Sequence, residues 1–415
     1  MMKKKSLLAV AVLSALLAPQ AVGAEGFGIV QWSTEGVAMG GARMFAENDP
    51  SMVAANPASL TKFQGKGMGF NATYISPHGR YEMKAKPYDI QIEKGRNRIH
   101  PGIVPGTYYV QQMTDKDWWG IGAYTRYGMV SGFQKGTYAA ANNYFAKMNG
   151  LSITPVYAHK FDKKWSAGVG AEISYVGLEL NHDFSAAGKP LTDHLKGESV
   201  GLGWNVAGNY SFDDKNEVGI VYRSKVKHSL SADWDTHGMN GFLKDSGNGY
   251  GIVYLPDQWT IGYNHKFDPK NRVELNATRT NWHTYDALNI MGSGFDNPLV
   301  AGSMNGLHEN YKGYHDTWRY AIGYEHKFSD KYTGMLGFSW DDHAIPYEGG
   351  DFIVPTGLRR TYSIGLQYHD KKQTAAIALG LEQIGDMTFK YSDGVETHTH
   401  NNYAKIVSIG YSYHF

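Results

Sequence analysis

Gln258-Trp259-Thr260-Ile261-Gly262-Tyr263-Asn264-His265-Lys266-Phe267, followed at once by Asp268-Pro269-Lys270-Asn271, sets the reading of the whole chain. Trp259, Ile261, Tyr263, His265 and Phe267 form one set of alternate positions. Gln258, Thr260, Gly262, Asn264 and Lys266 form the other. Only a period of two separates them, so the segment predicts a strand with one greasy and one polar face. Residues 317–328 repeat the pattern, with Trp318, Tyr320, Ile322, Tyr324, His326 and Phe328 set against Thr317, Arg319, Ala321, Gly323, Glu325 and Lys327. The final strand places Val407, Ile409, Tyr411, Tyr413 and Phe415 on one face.

Asp268-Pro269-Lys270-Asn271 has five counterparts: Thr114-Asp115-Lys116-Asp117, Asp162-Lys163-Lys164, Asp213-Asp214-Lys215-Asn216, Ser329-Asp330-Lys331 and Asp370-Lys371-Lys372. These residues form turns and refuse hydrocarbon. Most follow an aromatic residue (Phe161, Phe212, Phe267, Phe328, with Tyr368 one step earlier), as in an interfacial girdle. Between the tight turns lie irregular segments at 81–99, 133–148, 234–251, 285–310 and 344–357. Short turns on one side and long loops on the other are the outer-membrane pattern. Six tight turns with both chain ends on the same side predict a 14-stranded antiparallel transmembrane β-barrel. A soluble sandwich or propeller is disfavoured, because the apolar face stays aliphatic and aromatic all the way round and water would penalise it.

Composition agrees. No 18-residue apolar stretch follows the N-terminal region, which excludes a helical membrane protein. A mean hydropathy of −0.42 suits a barrel whose strands dilute lipid-facing with lumen-facing residues. Tyr (29) and Trp (10) are abundant, as expected at membrane interfaces. The absence of Cys removes disulfides, which a closed barrel does not need. A net charge of +1 gives no sign of nucleic-acid binding.

Lys3-Lys4-Lys5, the short apolar run 6–18 and Ala21-Val22-Gly23-Ala24 predict a secretory signal peptide at 1–24 and hence the outer membrane as destination. Residues 25–63 do not alternate. They are rich in Gly, Ala, Ser and Met, with helical possibilities near Pro50, yet Phe27, Ile29, Trp32, Met39, Phe45, Met52 and Leu60 make them too apolar for disorder. A 14-stranded lumen is too wide for side chains alone to fill. The segment is therefore expected to plug the lumen of a barrel formed by residues 64–415.

Gly26-Phe27, the Gly-rich middle and Asn56-Pro57-Ala58 resemble the hatch of FadL/TodX-type outer-membrane transporters of long-chain fatty acids and other hydrophobic compounds. Leu202-Gly203-Trp204-Asn205, Tyr222-Arg223-Ser224-Lys225-Val226, Leu255-Pro256-Asp257-Gln258-Trp259, Tyr314-His315-Asp316-Thr317-Trp318-Arg319, Phe338-Ser339-Trp340-Asp341-Asp342 and Ile353-Val354-Pro355 extend the likeness in order along the chain. The resemblance implies passive uptake of apolar ligands by a monomer among outer-membrane lipids. The N-terminal residues, Phe27 included, would occupy the ligand site. A kink in the third strand, here at Tyr127-Gly128, would open the wall sideways.

A fatty acid also needs a partner for its carboxylate. Arg223, Lys225 and Lys227 are expected to share an inward face with Gly219, and His315 and Arg319 to share that of the tenth strand. These polar positions are also what every barrel lumen carries. The family's basic residue on the fifth strand has no counterpart near 175–182, where Gly177 and Glu179 sit; this favours a neutral hydrocarbon as the alternative ligand. His398 and His400 lie two apart, but nothing nearby completes a metal site, so they are expected to be solvated loop residues. No cofactor, metal or catalytic constellation is expected; the rival functions are a hydrophilic porin and an adhesive surface barrel.

Overall fold

A computed structural model describes residues 26–98, 101–354, 357–392 and 394–415. The expected signal peptide lies outside the described residues. One sheet closes into a barrel of fourteen antiparallel strands. They are β1 (Lys66–Ala85), β2 (Gly102–Gln112), β3 (Asp117–Tyr124, resumed at Gly128–Gly132), β4 (Phe145–Lys160), β5 (Trp165–Asp183), β6 (Leu191–Ser211) and β7 (Asn216–Arg223, resumed at Val226–Gly238). There follow β8 (Asp245–Leu255, resumed at Gln258–Lys266), β9 (Asn271–Thr280), β10 (Thr317–Lys327), β11 (Tyr332–Asp341), β12 (Arg359–His369), β13 (Gln373–Ile384) and β14 (Val395–His414). Gly67 of β1 lies opposite His414 of β14, so the first and last strands join and the sheet closes. Every tight turn named from the sequence joins two neighbouring strands.

Alternation puts Ile173, Leu202, Ile261, Ile322, Leu366 and Ile409 on the exposed outer wall. In a lipid bilayer that wall is the stable arrangement, because the closed ladders pair the strands' backbone polar groups everywhere along them except at a break in β3 described below.

Several segments expected to be irregular are strand. β1 runs on to Ala85 and pairs with a hairpin partner at Ile90–Arg96. β7 and β8 extend to Gly238 and from Asp245, through most of 234–251. Outside the bilayer neither face needs lipid-compatible residues, so the period-two signal fades while the ladder continues. His398 and His400 are likewise on β14, opposite Glu82 and Arg80 of β1, and not in a loop.

The turn-proximal rim carries a repeat: Tyr157-Ala158-His159-Lys160-Phe161, Tyr263-Asn264-His265-Lys266-Phe267 and Tyr324-Glu325-His326-Lys327-Phe328. In each, the Tyr hydroxyl and His Nδ1 meet one side chain at the start of the neighbouring strand. The His contacts are 2.8 Å to Asp117, 2.8 Å to Asn216 and 2.7 Å to Asn271. Each clamp pins the register of one strand pair where the sheet meets the interface.

Candidate functional site

Residues 26–63 fill the lumen. Ser33 caps a short helix, α1 (Thr34–Ala38), by accepting the Gly36 amide at 2.9 Å. A second helix, α2 (Met52–Ala55), leads to Asn56, whose side chain accepts the Ala58 amide at 3.1 Å and opens the 3₁₀ turn Pro57–Lys62. Asn56 also donates to Asn209 of β6 at 2.8 Å. The Asn56-Pro57-Ala58 motif therefore both starts a turn and moors it to the wall.

The wall is cut to receive this plug. A Cβ at Gly168 would strike Pro57 and Ala58, one at Gly262 would strike Met44 and Phe45, and one at Gly337 would strike Met39 and Gly40. Glycine there permits a close approach of the plug to the wall.

Charge holds the plug as well. Arg43 pairs with Glu325 at 3.5 Å, and Lys62 pairs with Glu217. Arg223 donates to the carbonyls of Ala54 and Ala55 and lies over the Trp32 ring at 4.8 Å. Arg319 donates to the Gly40 carbonyl and pairs with Asp341 at 3.0 Å. An acceptor left without its donor in this interior costs about 1–3 kcal/mol, so these arginines fasten the hatch.

Beyond the plug lies a packed apolar cluster. Phe27 is buried at its inner end, edge-on to Trp282 (4.7 Å), Tyr285 (5.1 Å) and Tyr127 (6.0 Å). Tyr314 closes the cage, 5.1 Å from Tyr285. Met129, Leu178, Leu230, Val253, Leu288 and Phe352 continue the same buried cluster.

β3 is interrupted beside this cage. Asp117–Tyr124 pairs with β2, whereas Gly128–Gly132 pairs with β4 alone. Among the described residues, β2 below Thr107 pairs with β1 but has no ladder partner on its β3 side. The N-terminal segment pairs with the break in β3 from inside: Gly28 bridges Tyr127, Ile29 N–H donates to Arg126 O at 2.7 Å, and Gly128 N–H donates to Phe27 O at 2.9 Å. The displaced Tyr127 carbonyl sits over Gly150, where a Cβ would come within 2.2 Å. Arg126 is buried against Glu172 of β5 at 2.5 Å, and Tyr127 donates its hydroxyl to Pro256 O at 2.7 Å.

The candidates named from the sequence are dispersed. Phe27, Tyr127 and Gly128 meet at the gap. Arg223 and Arg319 point inward but serve the hatch. Lys225 and Lys227 point outward, which corrects the expected shared face with Gly219. The register between β6 and β7 shifts by one residue between the Arg223 and Ser231 pairings. Arg223 and Ser224 are both buried at this bulge, so every later side chain changes face. β8 breaks in step at Pro256-Asp257. His315 is also not on the inward face of the tenth strand: it precedes the start of β10 at Thr317, is exposed, and stands edge-on to His343 at 5.5 Å. Trp282, Tyr285 and Tyr314 were missed because they lie outside alternating runs. Bulky aromatics in connections that ought to be wet were the available signal.

Comparison with known proteins agrees with this architecture. The family described as outer membrane protein transport protein (OMPP1/FadL/TodX) matches residues 14–415. A long-chain fatty acid transport protein of Escherichia coli O6:H1 is 26% identical, over 94% of this chain and 93% of its own length. Outer membrane protein P1 of Haemophilus influenzae is 23% identical, over 96% and 92%. Among solved structures, a Pseudomonas aeruginosa FadL homologue superposes with a TM-score of 0.82 at 16% identity, covering 94% of this chain and all of that one. The Pseudomonas putida toluene transporter TodX superposes at 0.71 and 16%, covering 95% and 99%. The plugged fourteen-stranded barrel, the gap in β3 and a match spanning nearly the whole sequence place the chain in the OMPP1/FadL/TodX family of outer-membrane proteins.

Proposed function

We propose that this barrel passes long-chain fatty acids or related apolar molecules through the region of the apolar cluster to the gap in β3 and sideways into the bilayer. The observation that carries the reading is Phe27: one apolar ring, held in an aromatic cage, at the end of the segment that pairs with the break in β3. An apolar ligand competes for that cage, and its binding shifts the population toward a withdrawn N-terminus. The driving force is burial of alkyl chain, about 0.8 kcal/mol per methylene. The E. coli and P. putida relatives are described as handling fatty acids and toluene, and both chemistries suit an apolar lining of this kind.

A neutral aromatic hydrocarbon is the second reading. It is favoured by the cage of Trp282, Tyr285, Tyr314 and Tyr127, and by the engagement of Arg223 and Arg319 with hatch carbonyls. Deleting residues 26–32 tests the gating role. Uptake is expected to be lost while the barrel still folds; undiminished fatty-acid uptake would rule the role out. Mass spectrometry of lipids that co-purify with the protein separates the two ligand classes.

A further inference from the structure

Lys225 and Lys227 carry charge onto the lipid-facing side of the wall. The bulge at Arg223-Ser224 turns both out of the lumen, and both are exposed. Aromatic residues fix their height. Trp204 of β6, Tyr222 of β7 and Trp259 of β8 stand in a row, with centroids 5.1 and 4.5 Å apart. Trp259 lies eight residues from Phe267 at the turn end of the same strand. At about 3.3 Å per residue and a tilt of about 40°, that is about 20 Å along the barrel axis, close to the apolar band of an outer-membrane barrel. The row therefore marks the interface on the loop side, and since tight turns face the periplasm, that side meets the outer leaflet. The amide of Ser224 donates to the Trp204 carbonyl at 2.9 Å, so Lys225 and Lys227 begin just beyond the row, at headgroup level.

Two features set this patch apart from an ordinary rim. Its charge is unspent. Arg279, in register between Trp259 and Trp318, is paired with Asp316 at 2.8 Å. Among the described residues neither Lys225 nor Lys227 has a carboxylate partner; Lys225 Nζ lies over the Tyr254 ring at 5.8 Å, and Lys227 is opposite Tyr254 in the ladder. Asp257, in the break of β8, accepts the Asn281 side chain at 2.7 Å, and Glu198 of β6 accepts the Tyr175 hydroxyl at 2.9 Å. Nor does the wall turn polar beside the lysines. Leu202 (76% exposed) and Val200 (63%) on β6, with Ile252 on β8, continue the apolar face past the aromatic row. Bare water would penalise those side chains. An anionic amphiphile meets both demands, with acyl chain against Leu202 and Val200 and phosphate on the ammonium groups. Alternate residues of one strand stand about 6.6 Å apart, so both long side chains reach a single phosphate.

We propose that Lys225 and Lys227 form a docking site on the outer wall for a phosphorylated glycolipid of the outer leaflet, a phosphosugar headgroup of the lipid A type carrying several acyl chains. The site is separate from the lumen and from whatever the barrel transports. It gives a purpose to two lysines that the bulge removes from the interior.

The test uses the full-length protein in detergent, titrated with bisphosphorylated lipid A and followed by native mass spectrometry. Wild type is expected to bind it, and to bind its fully dephosphorylated form at least about 10-fold more weakly. Lys225→Gln with Lys227→Gln changes only exposed side chains and leaves the ladder intact. It should lower affinity for the phosphorylated form about 10- to 30-fold and leave the dephosphorylated form unchanged. Lys371→Gln with Lys372→Gln, an equal loss of charge at a periplasmic turn, should change neither. The site is overturned by a wild type that ignores the phosphates, by unchanged binding in the Lys225/Lys227 variant, or by equal weakening in the Lys371/Lys372 variant. Equal affinity of wild type for phosphatidylglycerol overturns the glycolipid as its occupant.

Discussion

The ring of Phe27 stands edge-on to the indole of Trp282 at a centroid distance of 4.7 Å, and Trp282 has no solvent exposure at all. A residue near the start of the hatch is thus seated in a cage whose other walls belong to the connections between strands. Burying a Phe side chain contributes about 1.5–3 kcal/mol, and each aromatic pair about 0.5–1.5 more. Phe27→Ala removes the occupant without touching the wall. Affinity for hexadecanoic acid is expected to rise at least about tenfold by isothermal titration, because the ligand no longer displaces a ring. Unchanged affinity would show that ligand and Phe27 do not share the cage.

Gly28 bridges Tyr127 across the gap, and the chain has no cysteine of its own. A Gly28→Cys, Tyr127→Cys double variant therefore tests closure cleanly. Oxidised, it should take up little fatty acid; reduced with dithiothreitol, it should recover. Equal uptake in the two states would mean that the N-terminal segment does not need to leave.

Arg319 donates to the Gly40 carbonyl of the hatch and ion-pairs with the Asp341 carboxylate of β11. Arg319→Met strands both, and breaking a buried pair from one side costs about 3–5 kcal/mol. The barrel ladder is untouched, so the loss falls on the hatch. Limited proteolysis should cut within residues 36–48 in the variant and spare them in wild type. Conductance across planar bilayers should rise in parallel.

The turn aspartates make stability fall in acid. Asp268 accepts the Asn271 side chain and the amides of Lys270 and Asn271, and Asp213 does the same with Asn216 and Lys215. Those bonds, led by the Asn side chains, hold both carboxyls below their usual 3.8. A carboxyl lowered in the folded state adds stability that is complete above its unfolded value and is lost as pH falls through the folded one. The urea midpoint for unfolding should hold from neutral pH to about 4 and decline below it. Asp213→Asn with Asp268→Asn should flatten that decline; an identical acid limb in the variant would assign it to other groups.

The barrel was legible because lipid and lumen impose opposite demands on alternate residues, and Trp259 through Phe267 obey both without exception. The hatch was legible as a class of segment, since Phe27, Trp32 and Phe45 need burial. Its seating was hidden: the inward glycines at 168, 262 and 337 look like any others among 50 until the plug is laid against them. Parity failed at Ser224 and Pro256 because one inserted residue reverses every face beyond it, and this placed Lys225 and Lys227 on the wrong side. The Tyr-x-His-Lys-Phe repeat was visible in the letters, but its role needed the neighbouring strand.

Fastenings at Gly40, Arg43, Ala54, Asn56 and Lys62 tie most of the hatch to its bed, whereas the portion across the gap is only a few residues long. Any doorway made by withdrawing that tip has the cross-section of a single extended peptide and one phenyl ring. Such an aperture admits slender guests, a straight hydrocarbon tail or a lone benzene ring, and turns away fused polycyclic frameworks whatever their greasiness. Girth, ahead of polarity, would then set which molecules the protein imports.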